Sequence, residues 1–236
     1  MTALLCDHLG IGARELVSIV GAGGKSTIMF SLSNELATSA KRVILTTTTK
    51  IAQVQVIEPT CWSDDPTDVE EALLPGTPLL VVTGEADEKV IGLAPVSVDR
   101  LYTATSADYI LVEADGARSR SIKAPGDHEP VIPRFSTTVI VVVGVDAIGR
   151  PLEEVAHRPD RVAALTGLGY DDNVTVQDAA TVLLHSDGGR KGLPESARLV
   201  MAITKVSQEN TPAANSLAAI LEEHPRVDRV VTISDR

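Results

Sequence analysis

The chain has 236 residues, 44% of them hydrophobic, which suits one α/β domain better than two and excludes disorder as the main state. Its 32 acids against 21 lysines and arginines give a formal charge of −11; with 3% aromatics and no basic block, this argues against nucleic-acid binding. No apolar run approaches the roughly 18 residues of a membrane span, the N-terminal residues lack the basic-then-apolar order of a secretion signal, and two cysteines, Cys6 and Cys61, are too few for a disulfide scaffold, so a cytoplasmic protein handling a small molecule is expected.

In chain order, β-branched runs predict strands over Leu16–Val20, Val43–Thr47, Leu79–Thr83, Tyr109–Glu113, Thr138–Val143, Leu199–Thr204 and Arg229–Ile233. Most are continuously apolar rather than alternating, the pattern of a parallel sheet covered on both faces. Helices are predicted over Ser26–Ala40, Val96–Ala104, Pro159–Leu165, Val176–His185 and Pro212–Glu223. Thr211 before Pro212 reads as a capping hydroxyl ahead of a first-turn proline, and Thr175 with Asp178 as a capping-box pair. Alternating strands and helices predict a three-layer α/β sandwich with a mostly parallel sheet, forming a single domain over 1–236. Gly84–Ala94 and Ala114–Arg134 are expected to be long functional loops.

The strand Leu16–Val20 runs into Gly21-Ala22-Gly23-Gly24-Lys25-Ser26-Thr27 and then a helix. Glycines let backbone N–H groups close around phosphate oxygens, and the helix N-terminus supplies a positive dipole end. Lys25 adds a full charge, and Ser26 a hydroxyl for Mg²⁺. This predicts a P-loop NTPase-like fold binding ATP or GTP with Mg²⁺. The loop is two residues shorter than G-x-x-x-x-G-K-[ST], because Ile19 stands where that pattern needs glycine. The shorter form is that of Mur-ligase-type ATP loops.

Three further stretches follow the same logic. Thr46-Thr47-Thr48-Thr49-Lys50 lies at a strand's carboxyl end, where Thr48 and Lys50 can orient a phosphate or a metal-bound water. Glu113 and Asp115 end the next apolar strand, like a Walker-B carboxylate: Glu113 is the first candidate for the metal, Asp115 the second. Arg118, Arg120 and Lys123 can clamp an anionic substrate or a transferring phosphoryl group, and His128 and Glu129 can move a proton or bind a metal. Arg158 can reach the nucleotide, or His157 can be a surface residue before a helix. At Thr204-Lys205-Val206-Ser207 the Asn and Asp of a guanine-reading Asn-Lys-x-Asp are missing, so base preference is left open. The turn Gly188–Gly192 reads as a flexible connection rather than an anion contact.

Taken in order, V-G-A-G-G-K-S-T, T-T-T-T-K-I, L-V-E-A-D-G-A, K-A-P-G-D-H-E-P-V-I-P and H-R-P resemble the YqeC family over about residues 15 to 205. Its members are described as accessory proteins of selenium-dependent molybdenum hydroxylases. The resemblance implies an NTP-binding protein that assists maturation of such a hydroxylase, with the hydroxylase or its maturation factors as partner. It also implies Gly21, Gly24, Lys25 and Ser26 as the phosphate loop, and roles for Thr48, Lys50, Glu113, Asp115, Lys123, His128 and Glu129. Three functions remain open: an Mg²⁺-dependent NTPase coupled to metalloenzyme assembly, an ATP-dependent small-molecule ligase or kinase, and a non-hydrolysing nucleotide sensor. A nucleotide-bridged homodimer is compatible with each.

Overall fold

The computed structural model describes residues 4–52, 56–86 and 89–234. Its strands are β1 Glu15–Gly21, β2 Val43–Thr47, β3 Lys50–Ala52, β4 Thr60–Cys61, β5 Leu79–Val81, β6 Gly84–Ala86, β7 Lys89–Ile91, β8 Tyr109–Glu113, β9 Ile122–Lys123, β10 Thr138–Gly144, β11 Ala156–His157, β12 Arg198–Val206 and β13 Arg229–Ser234. Its helices are α1 Leu5–Leu9, α2 Lys25–Thr38, α3 Pro66–Ala72, α4 Pro95–Ala104, α5 Leu152–Val155, α6 Pro159–Thr166, α7 Val176–Leu184 and α8 Thr211–Glu222.

Eight strands form one sheet in the order β13-β12-β10-β1-β8-β2-β5-β4, with every neighbouring pair parallel. The continuous apolar runs explain this arrangement. β2, β8 and β10 are buried at every position, so both faces need cover. On one face, Ile28, Met29, Leu32 and Leu36 of α2 join Val17, Ile19, Leu45 and Leu111. On the other, Val69 of α3, Val98 and Leu101 of α4, Val162 of α6, Val182 of α7 and Leu217 of α8 join Leu16, Ile110, Val141 and Leu199. The expected α/β sandwich is therefore what the chain forms.

Topology places the site. From β1 the chain passes through α2 and over β8 to β2, whereas from β8 it returns past β1 to β10. Connections diverging from adjacent strands leave a crevice at their carboxyl ends, where open α/β sheets take ligands.

Several local expectations are corrected. Gly84–Ala94 is not a loop throughout: β6 and β7 pair antiparallel, and β3 adds to β7, making a small second sheet beside the crevice. Its strands are only three residues long, too short for periodicity to declare them. Ala114–Arg134 contains β9, which pairs with β11. Thr211 does not cap α8; it is the first helical residue after Asn210, and its hydroxyl donates to Ser207 O at 2.6 Å. The Thr175–Asp178 capping box forms, with Thr175 N donating to Asp178 at 2.9 Å. α3 was missed although Asp65-Pro66 is a start signal: Asp65 Oδ1 accepts from Thr67 N at 2.8 Å. Among the described residues no helix is long and apolar enough to cross a membrane.

Candidate functional site

The loop after β1 is pressed against β10. Gly21 and Gly23 have φ of 94° and 93°, and a Cβ on them would lie 2.3 Å from Val142 O and from Gly144 N respectively. Only glycine meets both demands. Ala22 N donates to Val142 O at 2.9 Å. The Thr204 hydroxyl, at the end of β12, bonds Gly23 O and lies 3.0 Å from Val143 O. Thr204 thus pins the loop, a positioning role that its place after an apolar strand did not reveal. α2 starts at Lys25 after Gly24, which offers no side-chain cap, a helix start of the kind that binds anions.

Behind the loop lies a buried chain of alternating charges. Lys25 Nζ donates to Gly21 O at 2.8 Å and stands 3.2 Å from Asp115 and 3.9 Å from Glu113. Asp115 Oδ2 accepts from Gly21 N at 3.0 Å and meets Lys123 at 2.9 Å. Lys123 reaches Glu129 at 3.0 Å, and Arg158 meets Glu129 at 2.5 Å. Lys25, Asp115 and Lys123 are 5%, 2% and 5% exposed, so each depends on the others for compensation. Asp115 Oδ1 faces Lys25 yet accepts no hydrogen bond, a buried acceptor without its share of donors.

The two strand-end carboxylates have separate duties. Ser26 Oγ donates to Glu113 Oε2 at 2.8 Å, which brings together the hydroxyl and carboxylate that can share a Mg²⁺ ion. Asp115 instead ties the loop backbone to Lys25 and Lys123. No group of three or more His, Cys, Asp or Glu with metal-site geometry occurs among the described residues, so a cation here would rely on this pair, water and its ligand's own oxygens.

In front of the loop opens a cleft of about 770 Å³. Gly23–Thr27 and Glu113 form its floor; Thr49, Lys50, Ile51 and Lys89 form one wall, and residues 116–120, Glu129, His157 and Arg158 another, with Lys205 alongside. Seven cations face it (Lys25, Lys50, Lys89, Arg118, Arg120, Arg158 and Lys205) against two carboxylates, Glu113 and Glu129, in a chain whose formal charge is −11. A third of the 21 lysines and arginines are gathered at one crevice, which focuses a positive field there. Four of the five non-glycine residues with positive φ among those described also line it: Arg118, Ser119, Arg158 and Lys205. Strained backbone of this kind persists where a site demands it.

Two groups have shifted protonation. Burial pushes the His157 imidazole down to about 4, assisted by the Lys123 and Arg158 charges, so it is neutral near pH 7. Burial opposes ionisation of Glu129, but hydrogen bonds from Arg158 and Lys123 outweigh it and hold the carboxyl at about 2.

Of the residues nominated from sequence, Gly21, Ala22, Gly23, Gly24, Lys25, Ser26, Thr27, Glu113 and Asp115 gather at the loop, and Lys50 faces the cleft. Thr48 does not line it; its hydroxyl donates to Val131 O at 2.7 Å and so fixes the 114–134 segment. Lys123 is buried behind the floor, donating also to Gly116 O at 2.6 Å, and is not placed to clamp a substrate. His128 is exposed and outside the cleft wall. Asp127 pairs with Arg161 at 2.8 Å, so Asp127, His128 and Glu129 diverge. His157 takes the cleft position instead. Lys89 carries no signal in the sequence, because its strand is only three residues long and falls within the segment expected to be a loop.

The sequence profile of the YqeC family, described as YqeC protein, matches residues 17–160. The chain is also similar to the YqeC protein of Escherichia coli (strain K12), with 36% identity over 229 residues, covering 94% of this chain and 89% of that protein. The matched span holds the glycine loop, Glu113, Asp115, Arg118, Arg120 and His157-Arg158, and on this footing the chain belongs to the YqeC family.

Proposed function

We propose that this protein binds a magnesium nucleoside triphosphate, ATP or GTP, on Gly21–Thr27, hydrolyses it slowly, and uses the cycle to assist maturation of a selenium-dependent molybdenum hydroxylase. The observation that carries the reading is the meeting of Ser26 and Glu113 at 2.8 Å beside Lys25, at an uncapped helix start inside a cationic cleft. The family resemblance supports the accessory role.

When bound, the magnesium nucleotide supplies an electrophilic γ-phosphorus. The chain's own groups do the rest. Glycine-loop and first-turn N–H groups donate to phosphate oxygens without a Cβ in the way. Lys25 exchanges its contact with Asp115 for a phosphate oxygen, while Asp115 stays held by Lys123 and Gly21 N. Ser26 and Glu113 would hold the metal. The Lys25–Asp115–Lys123–Glu129–Arg158 chain then links the loop to residues 116–131, so phosphate contact at Lys25 biases that segment. Neutral His157 on the wall can accept a proton from an attacking water or hydroxyl. That residue favours a second reading, a small-molecule kinase or ligase.

Thermal unfolding with ATP, GTP and CTP, each with and without Mg²⁺, tests the reading. Ligand at about 100 times its dissociation constant stabilises by about 2.7 kcal/mol, several degrees for a domain this size. A Mg²⁺-dependent shift absent in Lys25→Ala is expected; no shift with any nucleotide would remove the proposal.

A further inference from the structure

The cleft carries more positive charge than one nucleotide uses. Of its seven cations, three already have carboxylate partners: Lys25 with Asp115, Arg158 with Glu129 and Lys205 with Asp146 at 3.0 Å. Lys50, Lys89, Arg118 and Arg120 have no carboxylate partner among the described residues; Lys50 and Lys89 belong to the small sheet that follows β2, whereas Arg118 and Arg120 lead to Ser121, whose carbonyl accepts from Gly144 N at the end of β10, on the other side of β1 and β8. Lys50 and Lys89 come from adjacent antiparallel strands, in which Lys50 is registered with Ile91 and Ala52 with Lys89, so both side chains leave the same face. Arg118 and Arg120 lie on a short rim anchored at both ends: by buried Asp115 on one side, and on the other by Ser121 N donating to Val155 O at 3.0 Å. Between them Arg118 and Ser119 hold consecutive φ of 47° and 60°, and Arg120 also bonds Glu154 O. Backbone strain at Arg118 and Ser119 is retained where the direction of the side chains there matters.

Counting Lys123 with the seven cations, and Asp115 and Asp146 with Glu113 and Glu129, leaves four positive charges at the cleft. A magnesium nucleoside triphosphate offsets only about two. We infer that the cleft takes a second, multiply charged small-molecule oxyanion beside the nucleotide, held between Arg118 and Arg120 on one wall and Lys50 and Lys89 on the other. Phosphate and carboxylate groups share the chemistry that guanidinium forks recognise. The inference rests on the nucleotide reading above and deepens it: the protein is a two-substrate device, and neutral His157, on the same wall as the arginines, faces the second ligand.

Calorimetric titration at about 0.15 M salt, where loose surface charge pairing is screened, tests this. Protein is first titrated with the non-hydrolysable triphosphate analogues of adenosine and guanosine plus Mg²⁺; the saturated complex is then titrated with inorganic pyrophosphate, and separately with citrate. A second saturable event is expected with one of the probes, and which one identifies phosphate or carboxylate as the recognised group. Arg118→Ala/Arg120→Ala, both at exposed positions, should weaken that event about tenfold or more and leave analogue affinity within about threefold. Analogue binding with no second event from either probe overturns the inference while sparing the nucleotide reading. Equal weakening of analogue and second anion also overturns it, returning the arginines to the nucleotide. Failure of both analogues to bind overturns the nucleotide reading, and the inference falls with it.

Discussion

The floor and the rim of the cleft are built on opposite principles. At the floor, Lys25, Asp115 and Lys123 are almost fully buried, and each charge is answered by another. At the rim, Arg118 and Arg120 are exposed on a strained turn without carboxylate partners among the described residues. The floor's charges serve the fold as well as a ligand; at the rim Arg120 also holds Glu154 O, and Arg118 serves what enters. Variants should therefore separate the two, with floor changes costing stability and rim changes costing binding.

The largest effect is expected at Asp115. Asp115→Asn strips two buried lysines of their shared counter-charge, and breaking such a network costs about 3–5 kcal/mol. The denaturation midpoint in urea measures it. A loss below about 1 kcal/mol would mean that water reaches the network.

Next comes the loop backbone. Gly23→Ala meets both a φ of 93° and a Cβ 2.3 Å from Gly144 N, whereas Gly149→Ala meets a φ of 83° with nothing within 4 Å. The second should cost about 1 kcal/mol, the left-handed penalty alone, and the first clearly more, because β10 has to move. Equal losses in thermal unfolding would contradict the tight seating of the loop on β10.

Smaller, and opposite in position along the pH axis, are two titrations in the wall. His157 binds its proton less readily when folded, at about 4 against 6.5, so stability is lost as pH falls from 6.5 through 4. Glu129 is depressed to about 2 from 4.5, so its contribution is complete above 4.5 and disappears as pH falls toward 2. Both groups are partly exposed, and after discounting for solvent each is worth about 1 kcal/mol. Stability curves of His157→Gln and Glu129→Gln against pH should lose the upper and the lower segment respectively. If neither slope changes, the wall is wetter than its geometry indicates.

The smallest stability change belongs to the rim: Arg118→Ala should leave unfolding within about 0.5 kcal/mol of wild type. A larger loss would place Arg118 in the fold and erase the distinction between the two regions.

How much of this was legible in the sequence follows the same division. The loop, Glu113 and the central strands could be read because continuous apolar runs and a glycine-lysine-hydroxyl turn depend on local chemistry. The partners of Asp115 could not, since Lys25 lies far from it in sequence and Lys123, though close along the chain, turns back to it only when β9 forms beside β11. The threonine run reads like a ligand cradle, yet Thr46, Thr47 and Thr48 each bond a backbone carbonyl, of Val81, Glu113 and Val131. Strand-end hydroxyls satisfy neighbouring carbonyls first, and that choice depends on sheet order. His128 stands out in the sequence because it sits among charged neighbours, but the fold, which sequence spacing does not reveal, puts His157 on the cleft wall.

The most direct test is calorimetric binding of ATP and GTP to wild type, Lys25→Ala and Ser26→Ala, with and without Mg²⁺. The account predicts one site per chain, dependent on Mg²⁺, with affinity reduced about tenfold or more in both variants. Nucleotide binding that ignores Mg²⁺ and both substitutions, or no binding at all, would contradict it.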